Sequence, residues 1–166
     1  MSFLDREDLA RVAISLSELL HDARLQGARQ PTPLTLVLEF RAPGKTHSLL
    51  LSVDDGLPRL FITSRKWPNA PTPPRFLARV RSGVVGARLT GIHLEDDMLS
   101  FTLERRDGSV PPVHLILNLG LPPELTLKSD TGDLLERMAW KGGGRRRPPT
   151  LSLDTSSGTG IELHQW

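Results

Sequence analysis

Between Thr46 and Phe76 the chain alternates short aliphatic runs with turn and proline signals, which leaves little choice of local structure. Leu49-Leu50-Leu51-Ser52-Val53 is an apolar run of strand length, and Asp54-Asp55-Gly56 is a turn. Arg59-Leu60-Phe61-Ile62-Thr63 is a second run. Trp67-Pro68-Asn69 and Pro73-Pro74-Arg75-Phe76 then stop regular pairing, because proline lacks a donor and restricts the residue before it. The bridge leads into a short helix near Pro74 to Ser82, anchored by Phe76 and Val80 and ended by Gly83 and Gly86.

The same pattern extends outward. Leu9, Val12, Ala13, Leu16, Leu19, Leu20 and Ala23 recur at three- and four-residue spacing, predicting a first helix from Leu4 to Gln26 that stops at Gly27. Leu34 to Arg41 alternates as a strand, and Ala42-Pro43-Gly44 turns it into Thr46 to Val53. Ala87 to Leu94 and Met98 to Glu104 form a hairpin around Glu95-Asp96-Asp97. Val113 to Leu119 and Glu124 to Leu127 are further strands, and Leu134 to Trp140 reads equally as a strand or a helical turn. One helix, about eight short strands and an intervening helix predict an α+β domain over 1–140: an N-terminal helix plus an antiparallel β-sandwich or barrel-like sheet. From 141 to 166 three glycines, three arginines, two prolines and a Ser/Thr/Gly-rich stretch read as a linker or disordered tail.

Charge is distributed unevenly. Net charge is only +2, yet no acid lies between Asp55 and Glu95, a window holding Arg59, Arg65, Lys66, Arg75, Arg79, Arg81 and Arg88. Arg137, Lys141 and Arg145 to Arg147 form a second cluster. Segregated positive charge suits a polyanion, through neutralised phosphates and released counterions. A solvated face balanced by acids from elsewhere is the simpler alternative. Arg75 and Arg79, four apart, share a helix face, and Lys66 and Arg88 extend them into a stripe. Trp67, beside Arg65 and Lys66, either stacks a base or packs on the sheet.

Other chemistry is sparse. With no cysteine there is no disulfide, thiolate catalysis or Cys-based zinc site. His21, His47, His93, His114 and His164 lack metal-ligand spacing. Asp54-Asp55 and Glu95-Asp96-Asp97 read as turns in preference to cation sites, and Gly142-Gly143-Gly144 lacks the rest of a phosphate loop. No metal, no cofactor and no enzyme activity are expected. The early charges of Met1 to Arg11 give no secretory signal and no apolar run spans a membrane, so the cytoplasm is the expected compartment.

In order and spacing, these pieces resemble the N-terminal domain of the NFACT family, which includes nuclear export mediator factors, the "fibronectin-binding protein A" group and bacterial ribosome-quality-control factors. The residues that carry the resemblance are Arg24 to Gln30 before Pro31, Leu49 to Ser52, Arg59-Leu60, Trp67 to Asn69, Pro73 to Phe76, Arg81 and Gly86. The resemblance covers roughly Phe3 to Arg137. It implies a fold similar to the N-terminal domain of formamidopyrimidine-DNA glycosylases. It also implies a non-catalytic RNA- and ribosome-binding role, with the large ribosomal subunit and transfer RNA as partners. Arg59, Arg65, Lys66, Arg75, Arg79, Arg81, Arg88 and Asp96 are the nucleic-acid-binding candidates. The family's Asp-Arg pair falls on Asp96-Asp97, where an acid replaces the arginine and repels phosphate. Its Gly-Arg-x-Ser-Asn-like turn falls on Gly120-Leu121-Pro122-Pro123-Glu124, which has lost those groups.

Three alternatives stand beside this role. A DNA glycosylase needs an N-terminal proline amine, and this sequence begins Met1-Ser2-Phe3. A surface fibronectin-binding protein needs export and anchoring signals that this sequence does not show. A scaffold domain would position neighbours without touching RNA. The family's downstream helix-hairpin-helix, coiled-coil and RNA-binding modules are not in this sequence. It reads as a domain cut from a longer protein or as a short member.

Overall fold

The computed structural model describes residues 6–54, 58–69, 72–120, 122–139, 149–153 and 160–165. Helix α1 (Arg6–Leu19) buries Leu9, Val12, Ala13 and Leu16 along one stripe. It ends well short of the expected Gln26. Leu20 and Ala23 keep the apolar spacing, but Asp22 takes a φ of 53° and reverses the chain. Asp tolerates this left-handed conformation better than most residues. Arg88 holds the reversal by donating from Nη1 to the Asp22 carbonyl at 3.0 Å and to its carboxylate at 3.3 Å.

The chain then enters strand β1 (Arg24–Thr32), where sequence periodicity predicts the end of a helix, a glycine stop and a proline break. Leu25, Ala28 and Gln30 are its buried positions. Gly27 sits at a register shift between Leu25 and Gly27, and Pro31 falls in a second between Arg29 and Thr32. Bulges are where a strand accommodates proline and glycine.

Strands β2 (Thr35–Ala42), β3 (Lys45–Ser52) and β4 (Arg59–Thr63) continue as antiparallel neighbours, as the apolar runs predict. Helix α2 (Arg75–Gly83) comes after the proline bridge and buries Phe76, Leu77 and Val80. Strands β5 (Arg88–Glu95), β6 (Met98–Glu104), β7 (Val113–Asn118), β8 (Glu124–Ser129) and β9 (Leu134–Ala139) form an antiparallel meander. The ambiguous segment from Leu134 is thus a strand through Ala139, and Trp140 lies outside the described residues.

Strands β10 (Pro149–Leu153) and β11 (Gly160–Gln165) pair with each other, and β11 pairs with β4. Within the expected linker or tail, 149–153 and 160–165 are therefore strands. Thr150 to Leu153 and Ile161 to Leu163 alternate polar and apolar residues inside a Ser/Thr/Gly-rich composition that hides the period. Lys141, Gly142 to Gly144 and Arg145 to Arg147 lie outside the described residues, as do Asp55 and Gly56.

The sheet order is β10-β11-β4-β3-β2-β1-β5-β6-β7-β8-β9. The sheet is open, with β10 and β9 at its edges, which corrects the barrel-like closure among the expectations. Helix α2 lies against β1 and β9, and α1 lies against β5 and β11. The two arms of the sheet meet at a narrow junction. Arg24 pairs with Arg88, and Leu25, Leu89 and Gly86 donate to Ala87, Ala23 and Leu25 at 2.8, 2.9 and 2.7 Å. Buried side chains from both arms, Phe40 and Leu49 on one and Phe101 and Leu115 on the other, belong to a single core.

Candidate nucleic-acid interface

Where β1 bulges, its outer side meets the bridge 64–69 and the C-terminal part of α2. Arg81 leaves α2 toward β1 and donates from Nη2 to the Ala28 carbonyl and to Asn69 Oδ1, both at 3.2 Å. Arg29 donates from Nε to Glu39 at 3.1 Å and from Nη1 to the Trp67 carbonyl at 3.3 Å. Gln26, Gly27, Ala28, Arg29, Glu39, Asn69, Arg81 and Val85 line a small cleft of about 280 Å³. A Cβ at Gly27 would rest in ordinary contact with Glu39 Oε1 at 3.4 Å.

The bridge presents two more cations beside this cleft. Arg65 lies over the Trp67 ring at 4.4 Å from its centroid. Stacking of this kind on an exposed surface is worth about 0.5–1 kcal/mol, enough to bias the guanidinium without fixing it. Trp67 is only half-buried, and its indole N–H donates to Thr63 Oγ1 at 3.2 Å. Lys66 is exposed with no partner among the described residues.

The remaining candidates are dispersed. The Arg79 side chain is exposed on α2 and unpartnered among the described residues. Arg75, four residues earlier, is drawn to the far side and pairs with Glu136 of β9 at 2.9 Å. With 91% of its side chain exposed, that pair is solvent-screened and contributes at most ~1 kcal/mol. Arg88 is committed to Asp22. Arg59 turns to the polar cluster at the end of β3, donating to Ser52 Oγ at 3.3 Å, and its Nε is buried without a partner. Asp54 belongs to the same cluster and accepts from Thr32 at 2.9 Å and Thr35 at 3.3 Å, so this carboxylate is a turn anchor. Among the described residues no group of three or more His, Asp or Glu is arranged to hold a metal ion.

Asp96 stands apart from the arginines. It occupies the β5–β6 turn with a φ of 53° and is exposed. The full length of β5, about 25 Å at ~3.3 Å per residue, separates it from Arg88. The turn touches the β7–β8 connection, where the Leu119 N–H donates to the Asp97 carbonyl at 2.7 Å. A Cβ on Gly120 would lie 3.6 Å from Asp97 Oδ2. The positions of the two altered family motifs, far apart in sequence, are therefore neighbours in space.

Arg29 and Asn69 acquire their roles only from the fold. Asn69 was visible as part of the bridge motif, and Arg29 as one of an arginine-containing segment, but their meeting with Arg81 depends on β1 being a strand. The period-two burial of Leu25, Ala28 and Gln30 was masked by the bulge at Gly27.

A family model of the NFACT N-terminal and middle domains matches residues 5–119. The chain belongs to the NFACT family. It is 28% identical over 94 residues to the Rqc2 homolog RqcH of Bacillus subtilis (strain 168), covering 55% of this chain and 16% of that protein. The N-terminal part of the fibronectin/fibrinogen-binding protein from Streptococcus suis matches in structure with a TM-score of 0.73 at 24% identity, covering 82% of this chain and 54% of that one. The N-terminal domain of fibronectin-binding protein PavA from Streptococcus pneumoniae gives 0.72 at 23% identity, over 84% and 56%. These structural likenesses establish the fold. The chain spans just over half of those N-terminal structures and about a sixth of the curated relative's length.

Proposed function

We propose that this NFACT domain is the RNA-facing part of a ribosome-associated quality-control factor that recognises large ribosomal subunits obstructed by peptidyl-transfer RNA. Charge placement is the observation that carries the reading. Residues 24–88 hold eleven Lys and Arg against three acids, and residues 89–139 hold four against nine. The cleft between Arg29, Asn69 and Arg81, with Arg65 and Lys66 beside it, lies in the basic part, as does the exposed Arg79. Polyanion binding needs this kind of surface and no catalytic group, since the ribosome supplies the chemistry. Transfer RNA and a cytoplasmic setting belong to the proposal through the family tie. The likeness to glycosylase N-terminal domains enters only as a likeness of architecture.

A scaffold role is the second reading. Asp97 at the family's arginine position favours it, as do Arg29, Arg59, Arg75, Arg81 and Arg88, each engaged within the domain. Co-sedimentation with large subunits, with and without stalled peptidyl-transfer RNA and at low and high salt, separates the two. Selective, salt-sensitive binding to obstructed subunits is expected. Absence of binding at both salts would leave the scaffold reading.

A further inference from the structure

Strand β3 runs three residues past the end of β4: their pairing stops at Ser48 and Thr63, leaving Lys45, Thr46 and His47 at an edge that β4 does not cover. The chain leaves β4 through Ser64 and Arg65, and Leu19 closes the space from the end of α1. A cavity of about 650 Å³ results, with Phe61 and Ile62 as its apolar wall.

The side chains of Lys45, Thr46, Thr63 and Arg65 around it have one sense. Thr63 Oγ1 accepts from the Arg65 backbone N–H and from the Trp67 indole N–H, both at 3.2 Å. Thr46 Oγ1 accepts from Arg41 Nη1 at 3.2 Å and from Gln26 Nε2 at 3.4 Å. A hydroxyl has two acceptor lone pairs and one donor hydrogen. Both threonines have spent their acceptor capacity on the protein, so each has only its O–H left to give. Lys45 and the Arg65 guanidinium are donors only. Among the described residues no acid lines the cavity. Glu39, across the ladder from Ser48, is held by Arg29.

His47 adds a second line of argument. Its ring is half-buried and has no hydrogen-bond partner among the described residues. Desolvation, and then repulsion from Lys45, hold its pKa below the ordinary value. Glu18 and His21, both exposed, flank Leu19 at the end of α1, and the charged groups around the cavity itself are Lys45, Arg65 and, beyond Thr46, Arg41, all cationic. An anion between them would relieve the repulsion and let the imidazolium form.

We propose that the Lys45–Thr46–His47 edge, Thr63 and Arg65 form a phosphate pocket that takes the terminal phosphate monoester of a nucleotide, with Phe61 and Ile62 against its apolar part. The pocket does not depend on the ribosome reading, because a mononucleotide alone tests it.

The test is an NMR titration of the full chain with inorganic phosphate, adenosine 5′-monophosphate, and a trinucleotide with and without a 5′-phosphate. Expected are saturable shifts confined to 45–48 and 61–65 and a rise in the His47 pKa. K45Q and R65Q should each weaken binding about tenfold, the scale of one hydrogen bond to a charged group, and T63V less. These sites are at the surface, and an unchanged melting temperature checks the fold. Tighter binding of adenosine 5′-monophosphate than of inorganic phosphate supports a free nucleotide. Preference for the phosphorylated trinucleotide supports an RNA end. Either outcome upholds the pocket. No saturable shift with any probe, or shifts that K45Q and R65Q leave unchanged, would overturn it.

Discussion

The two arms of the sheet share one core and carry opposite surfaces. Residues 24–88, with β1 to β4 and α2, hold most of the cations. The β5–β9 meander holds Glu95, Asp96, Asp97, Glu104, Asp107, Glu124, Asp130, Asp133 and Glu136. Even the histidines differ in setting. His47 sits among cations without a partner, whereas His114 is held between Thr102 Oγ1 and Asp130, each at 3.1 Å. The contrast teaches that near-neutral net charge conceals a polarised molecule. Stability is distributed over both arms, and polyanion contact is expected from one.

The shared core gives the largest expected effect. Phe40 and Phe101, one on each arm, are fully buried. Either one changed to Ala should cost about 3–5 kcal/mol, the usual range for a buried Phe. Urea unfolding of both variants should remain a single transition. Two separable transitions would mean that the arms are independent bodies and that the comparison describes two domains.

Polyanion contact sharpens the comparison next. Reversing exposed cations with R65E, K66E and R79E together should lower the salt slope of single-stranded RNA binding by about two, at ~0.7 per phosphate contact. Reversing Glu95, Asp96 and Asp107 to Lys on the other arm should leave binding intact or raise it. Loss of binding in both triple variants would remove the asymmetry.

The pair linking the arms through α2, Arg75 with Glu136, is expected to matter little. A double-mutant cycle with R75A and E136A should give a coupling below ~1 kcal/mol, because Arg75 is almost wholly exposed. The smallest effect concerns His47. Its folded pKa lies below its ordinary 6.5, so the unfolded chain binds the proton first as pH falls. Stability should therefore drop as pH falls below about 6.5 and level off below the folded pKa. H47Q should flatten that part of the urea-midpoint profile, and a profile unaltered by H47Q would contradict the assignment.

Much of the fold was legible because the strands from Thr35 to Glu104 are bounded by Gly, Pro and Asp turns and their apolar runs have strand length. Three features were not. Leu20 and Ala23 prolonged the helical pattern past Asp22, where one residue in a left-handed conformation ends it. The bulges at Gly27 and Pro31 hid β1, and with it the meeting of Arg29, Asn69 and Arg81. Openness of the sheet is a tertiary outcome that strand alternation does not encode. At the candidate site the acid-free window was plain from residue types. Which cations are spent inside the domain was not, since Arg75 and Arg88 find their partners more than sixty residues away.

Comparing the two triple charge-reversal variants with the unaltered chain, by co-sedimentation with obstructed large subunits at low salt, tests the central claim most directly. The account predicts that R65E/K66E/R79E fails to sediment while the chain with Lys at 95, 96 and 107 sediments as the unaltered protein does. Equal sedimentation of all three chains would contradict it.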